Sequence, residues 1–172
     1  MKALRGGRVL LRRLGRVRAL VLDVDGVLTD GGLYYGGQGE ALKKFHVRDG
    51  MGLRLVQEAG IAVALVSGEE TGIVRRRAEK LKIRDVFEGV EDKRRAFDSF
   101  LASRGIAPGE AAYVGDDVND LPALAAAGFP IAVADASPEA LRAARLVTGR
   151  RGGEGAVREI CDALLAARAG KR

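Results

Sequence analysis

The sequence predicts an α/β fold in which helices cover both faces of a doubly wound, Rossmann-like parallel sheet. Short apolar runs alternate with amphipathic helical stretches, and this alternation is typical of parallel sheets. Polar residues directly follow several of the runs, as expected where strand ends line a ligand crevice. With 172 residues, 47% of them hydrophobic, the chain suits a single domain spanning residues 1–172.

Four continuous apolar runs predict buried central strands, because strands covered on both faces need no polar alternation. They lie at 18–22, 61–66, 111–114 and 131–134. A short strand is also expected just before Lys93. Apolar residues at three- and four-residue spacing predict six helices, at 49–59, 71–82, 92–104, 119–127, 137–144 and 155–168.

One segment, residues 31–46, breaks this rhythm. Its sequence, GGLYYGGQGEALKKFH, has glycine pairs on both sides of a tyrosine pair and a second extended run after them. The pattern predicts a β-hairpin. An exposed hairpin with an aromatic surface requires a partner, and self-association is the simplest one.

The charge of the chain is concentrated at its start. Seven of the 29 basic residues and none of the 23 acidic ones lie in residues 1–18, so the net charge of +6 is local. We therefore predict no nucleic-acid partner. The basic N-terminal arm, residues 1–17, contains several apolar residues and is interpreted as a docking helix.

Compartment is predicted from absences in the sequence. The lone Cys161 cannot form a disulfide within the chain, and its helical context indicates packing. No apolar run approaches the ~20 residues that cross a bilayer, and none resembles a signal peptide. A soluble cytoplasmic protein without a membrane partner is expected.

Two carboxylates, Asp23 and Asp25, follow the first predicted strand on a turn relieved by Gly26. Carboxylates this close repel each other, and the repulsion is relieved if a divalent cation neutralises one while the other takes up a proton. Three further elements sit at later strand or helix ends: the hydroxyl of Ser67, the cation of Lys93 and the acidic cluster GDDVND at 115–120. Phosphoryl transfer needs this combination of nucleophile, acid, cation clamp and metal site.

These four segments resemble the motifs of the haloacid dehalogenase superfamily of phosphatases, and the resemblance runs from about Arg18 to the C-terminus. It implies an aspartyl-phosphate mechanism in which Asp23 is the nucleophile and Asp25 the general acid and base. It also implies that Ser67 and Lys93 hold the phosphoryl oxygens. The implied Mg²⁺ ligands are Asp23, Asp116 and the Asp25 carbonyl, supported by Asp117 and Asp120.

No cap domain fits in this chain, since 41 residues separate Asp25 from Ser67 and 25 separate Ser67 from Lys93. The chain is similar to the capless subgroup that acts on 2-keto-3-deoxy sugar acid phosphates, whose members are homotetramers with hairpins in a central barrel. The similarity includes residues 45–52 and 151–159, which lie near the active site in that subgroup. A homotetramer with shared active sites is therefore expected, with the C-terminal tail and helix (150–172) closing over a neighbour's site.

The sugar acid is harder to choose from the sequence. Glu69 follows Ser67-Gly68 where octulosonate 8-phosphate phosphatases typically have Arg, so the resemblance favours 2-keto-3-deoxynononate 9-phosphate. The alternatives are 3-deoxy-D-manno-octulosonate 8-phosphate, as in lipopolysaccharide synthesis, and an N-acylneuraminate 9-phosphate. Candidate substrate contacts are Gly68, Glu69, Lys80, Arg77, Arg48 and His46.

Three other classes of protein fit the sequence less well than a phosphatase. A phosphoacceptor signalling domain has no need for the acid at Asp25. A catalytically inert tetramerisation module is disfavoured because the nucleophile, acid, lysine and metal aspartate are all present. An RNA-binding protein led by the basic arm would lose salt-sensitive binding without residues 1–18.

Overall fold

A computed structural model describes residues 4–170. Its strands are β1 (Arg5–Gly6), β2 (Ala19–Asp23), β3 (Tyr34–Gly36), β4 (Gly39–Leu42), β5 (Ala62–Val66), β6 (Asp85–Phe87), β7 (Ala111–Gly115), β8 (Phe129–Ala132) and β9 (Leu146–Val147). Its helices are α1 (Arg8–Arg13), α2 (Val47–Glu58), α3 (Gly72–Leu81), α4 (Lys93–Arg104), α5 (Leu121–Ala126), α6 (Pro138–Ala143) and α7 (Ala156–Ala169). The first three residues of the predicted arm and the last two of the C-terminal segment lie outside the described residues.

Seven strands form one sheet in the order β1-β9-β8-β7-β2-β5-β6. Every neighbouring pair is parallel except β1 and β9. Strand β2 is central and fully buried, between β5 and β7. The parallel arrangement brings the carboxyl ends of β2, β5 and β7 to one edge of the sheet, which confirms the predicted Rossmann-like fold.

The core fills the space between sheet and helices with aliphatic and aromatic side chains. The largest fully buried ones are Tyr113, Phe97, Phe100 and Phe129. The rings of Phe97 and Tyr113 meet edge to face, with centroids 5.8 Å apart. This contact joins α4 to β7, so the helix that begins at Lys93 is anchored beneath the strand that leads to Asp116.

The predicted helix over 119–127 is the main difference in the elements. The structure has a 3₁₀ turn at Val118–Asp120 followed by α5. Asp117 and Asp120 form a reciprocal capping box at the turn, and Pro122 then occupies the first turn of α5. The two-residue strands β1 and β9 were not predicted, because so short a segment carries no periodic pattern.

The predicted hairpin is present as β3 and β4, which pair antiparallel with an irregular register between Tyr34 and Tyr35. An isolated bridge between Thr29 and Phe45 connects its base to the body. Both tyrosines are more than half exposed, and Leu42 beside them is also exposed. The hairpin therefore presents an apolar surface that this chain does not cover.

The N-terminal arm contains the short helix α1 and a 3₁₀ turn at Leu14–Arg16, and both pack against α7. Leu10 of the helix and Leu14 of the turn are buried. Arg168 of α7 donates a hydrogen bond of 3.0 Å to the carbonyl of Val17. The apolar face of the arm is thus used within the chain. Among residues 4–170, no helix has both the length and the apolar character required to cross a bilayer.

Candidate active site

The loop after β2 is built by backbone and hydroxyl contacts that hold Asp23 and Asp25 at the sheet edge. Gly26 has a φ of +83°, in the left-handed region that glycine tolerates. The hydroxyl of Thr29 is buried and accepts hydrogen bonds from the amides of Gly26 and Gly31, at 3.2 and 3.3 Å. This closes the loop over the end of β2.

Four predicted side chains meet at the ends of β2, β7 and α4. The Lys93 ammonium lies 2.9 Å from Asp23 Oδ1 and 2.9 Å from Asp120 Oδ1, and all three residues are buried. Ligand oxygens of Asp23, Asp116 and Asp120 lie within 4.8 Å of one another. The structure therefore brings these four predicted site residues together, and their roles remain predictions.

Asp120 has a supporting position within the cluster. Its Oδ1 accepts from Lys93 and from the Tyr113 hydroxyl at 2.8 Å, while Oδ2 accepts from the amides of Asp116 and Asp117. Both oxygens are thus already engaged. Asp120 orients the lysine and the loop after β7, and Asp23 and Asp116 remain the better direct ligands for a cation.

The pKa values of the cluster reflect burial and crowding. Burial raises the pKa of Asp23 well above its usual range and the Asp120 charge raises it further, although Lys93 acts in the opposite direction. Burial, with repulsion from Asp120, raises the pKa of Asp116 to about 6. Burial alone would lower the pKa of Lys93, but Asp23 and Asp120 raise it above its usual value.

These residues fit a divalent cation. The carboxylates of Asp23, Asp116 and Asp120 face the single ammonium of Lys93, so the fully ionised cluster has two uncompensated negative charges. Oxygen ligands of this type are the ones that Mg²⁺ prefers. Gly26 leaves the space for them, because a Cβ there would lie 2.0 Å from Asp116 Oδ2.

Ser67 follows β5, whose last residue Val66 is in register with Asp23, so Ser67 lies at the same edge of the sheet as the predicted nucleophile. The side chain is buried, and its Oγ accepts a hydrogen bond of 3.2 Å from the Glu69 amide. The Ser67 amide donates to the Phe87 carbonyl at 2.8 Å. The hydroxyl hydrogen remains available to a phosphoryl oxygen.

Asp25 lies on the hairpin side of the site, apart from the Lys93 cluster. Its Oδ1 is 2.6 Å from the ammonium of Lys43, which follows β4. The Thr29 hydroxyl is 3.4 Å from the same oxygen. The two carboxylates, two residues apart in the sequence, therefore have different lysine partners, an arrangement that suits the separate roles predicted for them.

The six candidate substrate contacts are dispersed. Gly68 and Glu69 are exposed in the loop after β5, and Glu69 lines a groove of about 500 Å³ shared with the hairpin residues Tyr35 and Glu40. Lys80 is exposed in the last turn of α3. Whether these groups contact a substrate remains a prediction.

The other three candidates surround the start of α2. Arg77 donates a hydrogen bond of 3.4 Å to the His46 carbonyl and stacks on the Phe45 ring, so within one chain it stabilises this helix start. His46 precedes the helix, with Nδ1 4.0 Å from the buried Asp49 carboxylate. Arg48 is exposed in the first turn.

The glycine-rich segment at 152–155 packs against the loop after β2 of its own chain. The Gly153 amide donates to the Val27 carbonyl at 3.1 Å, and a Cβ on Gly152 would lie 1.7 Å from the Gly26 carbonyl oxygen. Asp49 in turn accepts a 2.7 Å hydrogen bond from the Arg158 amide at the start of α7. Residues 150–172 were predicted to close over the active site of a neighbouring subunit. Within one chain, the start of this segment instead contacts the loop that carries Asp23 and Asp25.

Sequence reasoning missed three residues that shape the site: Lys43, Thr29 and Tyr113. Tyr113 lies inside an apolar run and was assigned to the core, although its hydroxyl reaches Asp120. Thr29 lies in the loop between Asp23 and Asp30, but an uncharged hydroxyl there has no sequence pattern that indicates a role in the site. The signal for Lys43 was its spacing from Glu40, because an acid and a lysine three residues apart in the hairpin can pair with each other.

Comparison with known proteins identifies similar families and structures. A family model described as haloacid dehalogenase-like hydrolase matches residues 40–128. The 3-deoxy-D-manno-octulosonate 8-phosphate phosphatase KdsC of Yersinia pestis is 44% identical over 158 residues, covering 92% of this chain and 84% of the relative. The enzyme of the same name from Escherichia coli K12 gives the same identity and coverage.

Solved structures agree with this similarity. The Moraxella catarrhalis 3-deoxy-D-manno-octulosonate 8-phosphate phosphatase, in complex with magnesium, phosphate and KDO, has a TM-score of 0.91 at 34% identity over 95% of each chain. The cobalt-bound phosphatase of Haemophilus influenzae has a TM-score of 0.89 at 43% identity, over 91% of this chain and 92% of its own.

Proposed function

This chain belongs to the haloacid dehalogenase-like hydrolase family and is a phosphatase, and from that premise we propose that its substrate is 3-deoxy-D-manno-octulosonate 8-phosphate. The observation that carries the proposal is the 44% identity to phosphatases of that name across 92% of the chain. The nononate preference suggested by Glu69 finds no support among these relatives. It is retained only as a competitor in the test below.

Asp23 is proposed as the nucleophile because it is buried at the end of β2 with Lys93 against one oxygen. A carboxylate oxygen attacks phosphorus, the bond from phosphorus to the sugar oxygen breaks, and an aspartyl-phosphate forms. Asp25 donates a proton to the departing alkoxide. Water then attacks the aspartyl-phosphate, Asp25 takes its proton, and phosphate leaves with Asp23 restored.

Ser67 and Lys93 are proposed to hold the phosphoryl oxygens through the free hydroxyl hydrogen and the buried ammonium. The residues placed to hold Mg²⁺ are Asp23 and Asp116, with the backbone carbonyl of Asp25. The bound ion would neutralise charge on the transferring phosphoryl group. The charge deficit of the Asp23, Asp116 and Asp120 cluster supports this assignment.

We also propose that the chain assembles into a homotetramer through the hairpin. The exposed hydrophobic side chains there include Leu33, Tyr34, Tyr35 and Leu42. In a capless chain the crevice is open to water, and a neighbouring subunit could cover it. A chain that is monomeric in sedimentation yet fully active would overturn this proposal.

The substrate is tested by measuring kcat/KM with Mg²⁺ for octulosonate 8-phosphate, nononate 9-phosphate and N-acylneuraminate 9-phosphate side by side. We expect the octulosonate to be preferred. A nononate preference would overturn the substrate proposal and identify Glu69 as a specificity residue, and Glu69→Arg should then shift the preference back. Turnover of none of the three would contradict the sugar-acid class.

A further inference from the structure

Lys43 carries a buried ammonium group next to Asp25. Its Nζ is 2.6 Å from Asp25 Oδ1 and 2.9 Å from Glu40 Oε1. The Lys43 side chain is fully removed from solvent and that of Glu40 is 4% exposed, whereas Asp25 retains 26% exposure. An ammonium can be buried in this way because two carboxylates face it.

The pKa of this lysine is consistent with a permanent charge. Burial alone would lower the pKa of Lys43, but its hydrogen bond to Asp25 and the charges of Asp25 and Glu40 raise it above its usual value. Because Glu40 is itself buried, it holds the ammonium in place from the hairpin side. The acid side chain is thus tied to strand β4.

Few other contacts restrain the Asp25 carboxyl group. The hydroxyl of Thr29 also donates a hydrogen bond to Asp25 Oδ1, but at 3.4 Å this bond is at the long limit of such contacts. The neighbouring pair between Lys44 and Asp30, at 2.7 Å, is exposed and touches neither the acid nor the nucleophile. Among the described residues, Lys43 therefore makes the shortest polar contact to Asp25, and it does so with a buried side chain.

We propose that Lys43 is a positioning residue that fixes Asp25 for proton transfer to the leaving alkoxide. The inference rests on the proposed function, in which Asp25 is the general acid. Lys43 donates to Oδ1, so the transferable proton resides on Oδ2. As the bond to the leaving oxygen breaks, that proton moves to the oxygen, and Lys43 stabilises the carboxylate that remains.

The test compares two leaving groups. An alkoxide must be protonated as it leaves, whereas p-nitrophenolate leaves without a proton. We therefore measure kcat/KM, which reports the phosphorylation step, for octulosonate 8-phosphate and p-nitrophenyl phosphate. In Lys43→Met the ratio of the first to the second should fall by about 10-fold, a part of the roughly 10²–10⁴-fold that general acid catalysis contributes. In Lys43→Arg, which retains the positive charge, the ratio should lie between those of Lys43→Met and the wild type.

Lys44→Met is the matched control, because it removes the adjacent lysine and the exposed ion pair but leaves Asp25 untouched. Its ratio should equal that of the wild type. An equal loss with both substrates in Lys43→Met would mean a merely structural role and would overturn the inference. If Lys43→Met does not fold because Glu40 is left buried and unpaired, the double variant with Glu40→Gln gives the same comparison.

Asp25→Asn separates this inference from the function on which it rests. If Asp25→Asn lowers the ratio and Lys43→Met does not, the Lys43 inference alone is wrong. If Asp25→Asn leaves the ratio unchanged, Asp25 is not the acid, and the proposed mechanism fails with it. If the wild type does not hydrolyse octulosonate 8-phosphate, the substrate proposal fails, and another alkyl phosphate that it does hydrolyse is used for the ratio.

Discussion

Replacing Gly26 by alanine should disable the site through a single methyl group. The added Cβ would lie 2.0 Å from Asp116 Oδ2 and 2.6 Å from its Cγ. Carbon and oxygen atoms cannot approach so closely, so the Asp116 carboxylate must move by roughly 1 Å, a displacement that can cost about 100-fold in rate. We expect kcat/KM to fall by about 100-fold and the Mg²⁺ needed for half-maximal activity to rise.

The same loop provides a matched control in Gly31. Its φ of +76° is close to the +83° of Gly26, so alanine at either position should cost about 1–2 kcal/mol of unfolding free energy from backbone strain. The nearest atom to a Cβ on Gly31 is 3.7 Å away, an ordinary contact. Gly31→Ala should therefore lose stability without losing the activity that Gly26→Ala loses.

The assays are urea denaturation in EDTA and kcat/KM across a Mg²⁺ titration, for both variants and the wild type. Comparable losses of stability combined with very different losses of activity are expected. If both variants retain the same activity and the same Mg²⁺ dependence, the placement of Asp116 against Gly26 does not govern metal binding, and the reasoning is refuted.

Four other predictions concern the buried charges and the thiol. Asp23→Asn should abolish turnover while leaving the circular dichroism spectrum intact; appreciable residual activity would contradict its role as nucleophile. The pKa of Asp116 is raised from 3.8 to about 6, so the ionised group destabilises the metal-free fold increasingly from pH 4 to pH 6 and fully above that. Asp116→Asn should therefore raise the unfolding free energy in EDTA by about 1–3 kcal/mol at pH 7.5 but little at pH 4, and an equal change at both values would be the wrong outcome. Lys93→Met strands Asp23 and Asp120 without their cation and should cost about 3–5 kcal/mol by urea denaturation in EDTA; a loss below 1 kcal/mol would rule out this pairing. Burial raises the pKa of the Cys161 thiol, so a disulfide reagent should label it only after unfolding, and rapid labelling of the native protein would disprove its burial.

The sequence by itself determined the sheet and the inner cluster. Continuous apolar runs predict β2, β5 and β7 as strands of a parallel sheet, and parallel strands put the residues after them at one edge. The strand order that makes these three neighbours is seen only in the structure. Asp23 and Ser67 directly follow such runs and Asp116 follows one after Gly115, so their convergence requires only that these strands be neighbours. The periodic pattern also predicted the helix that begins at Lys93.

Only the tertiary structure decided which charges are paired and which glycines make room. The contact between Lys43 and Asp25 joins residues 18 positions apart through the hairpin's return to the body, and neither residue's local pattern encodes it. Gly152 meets Gly26 in the same way, across nearly the whole chain. Local periodicity reports the face that a residue presents, whereas contacts between distant segments depend on how the packed elements are finally oriented.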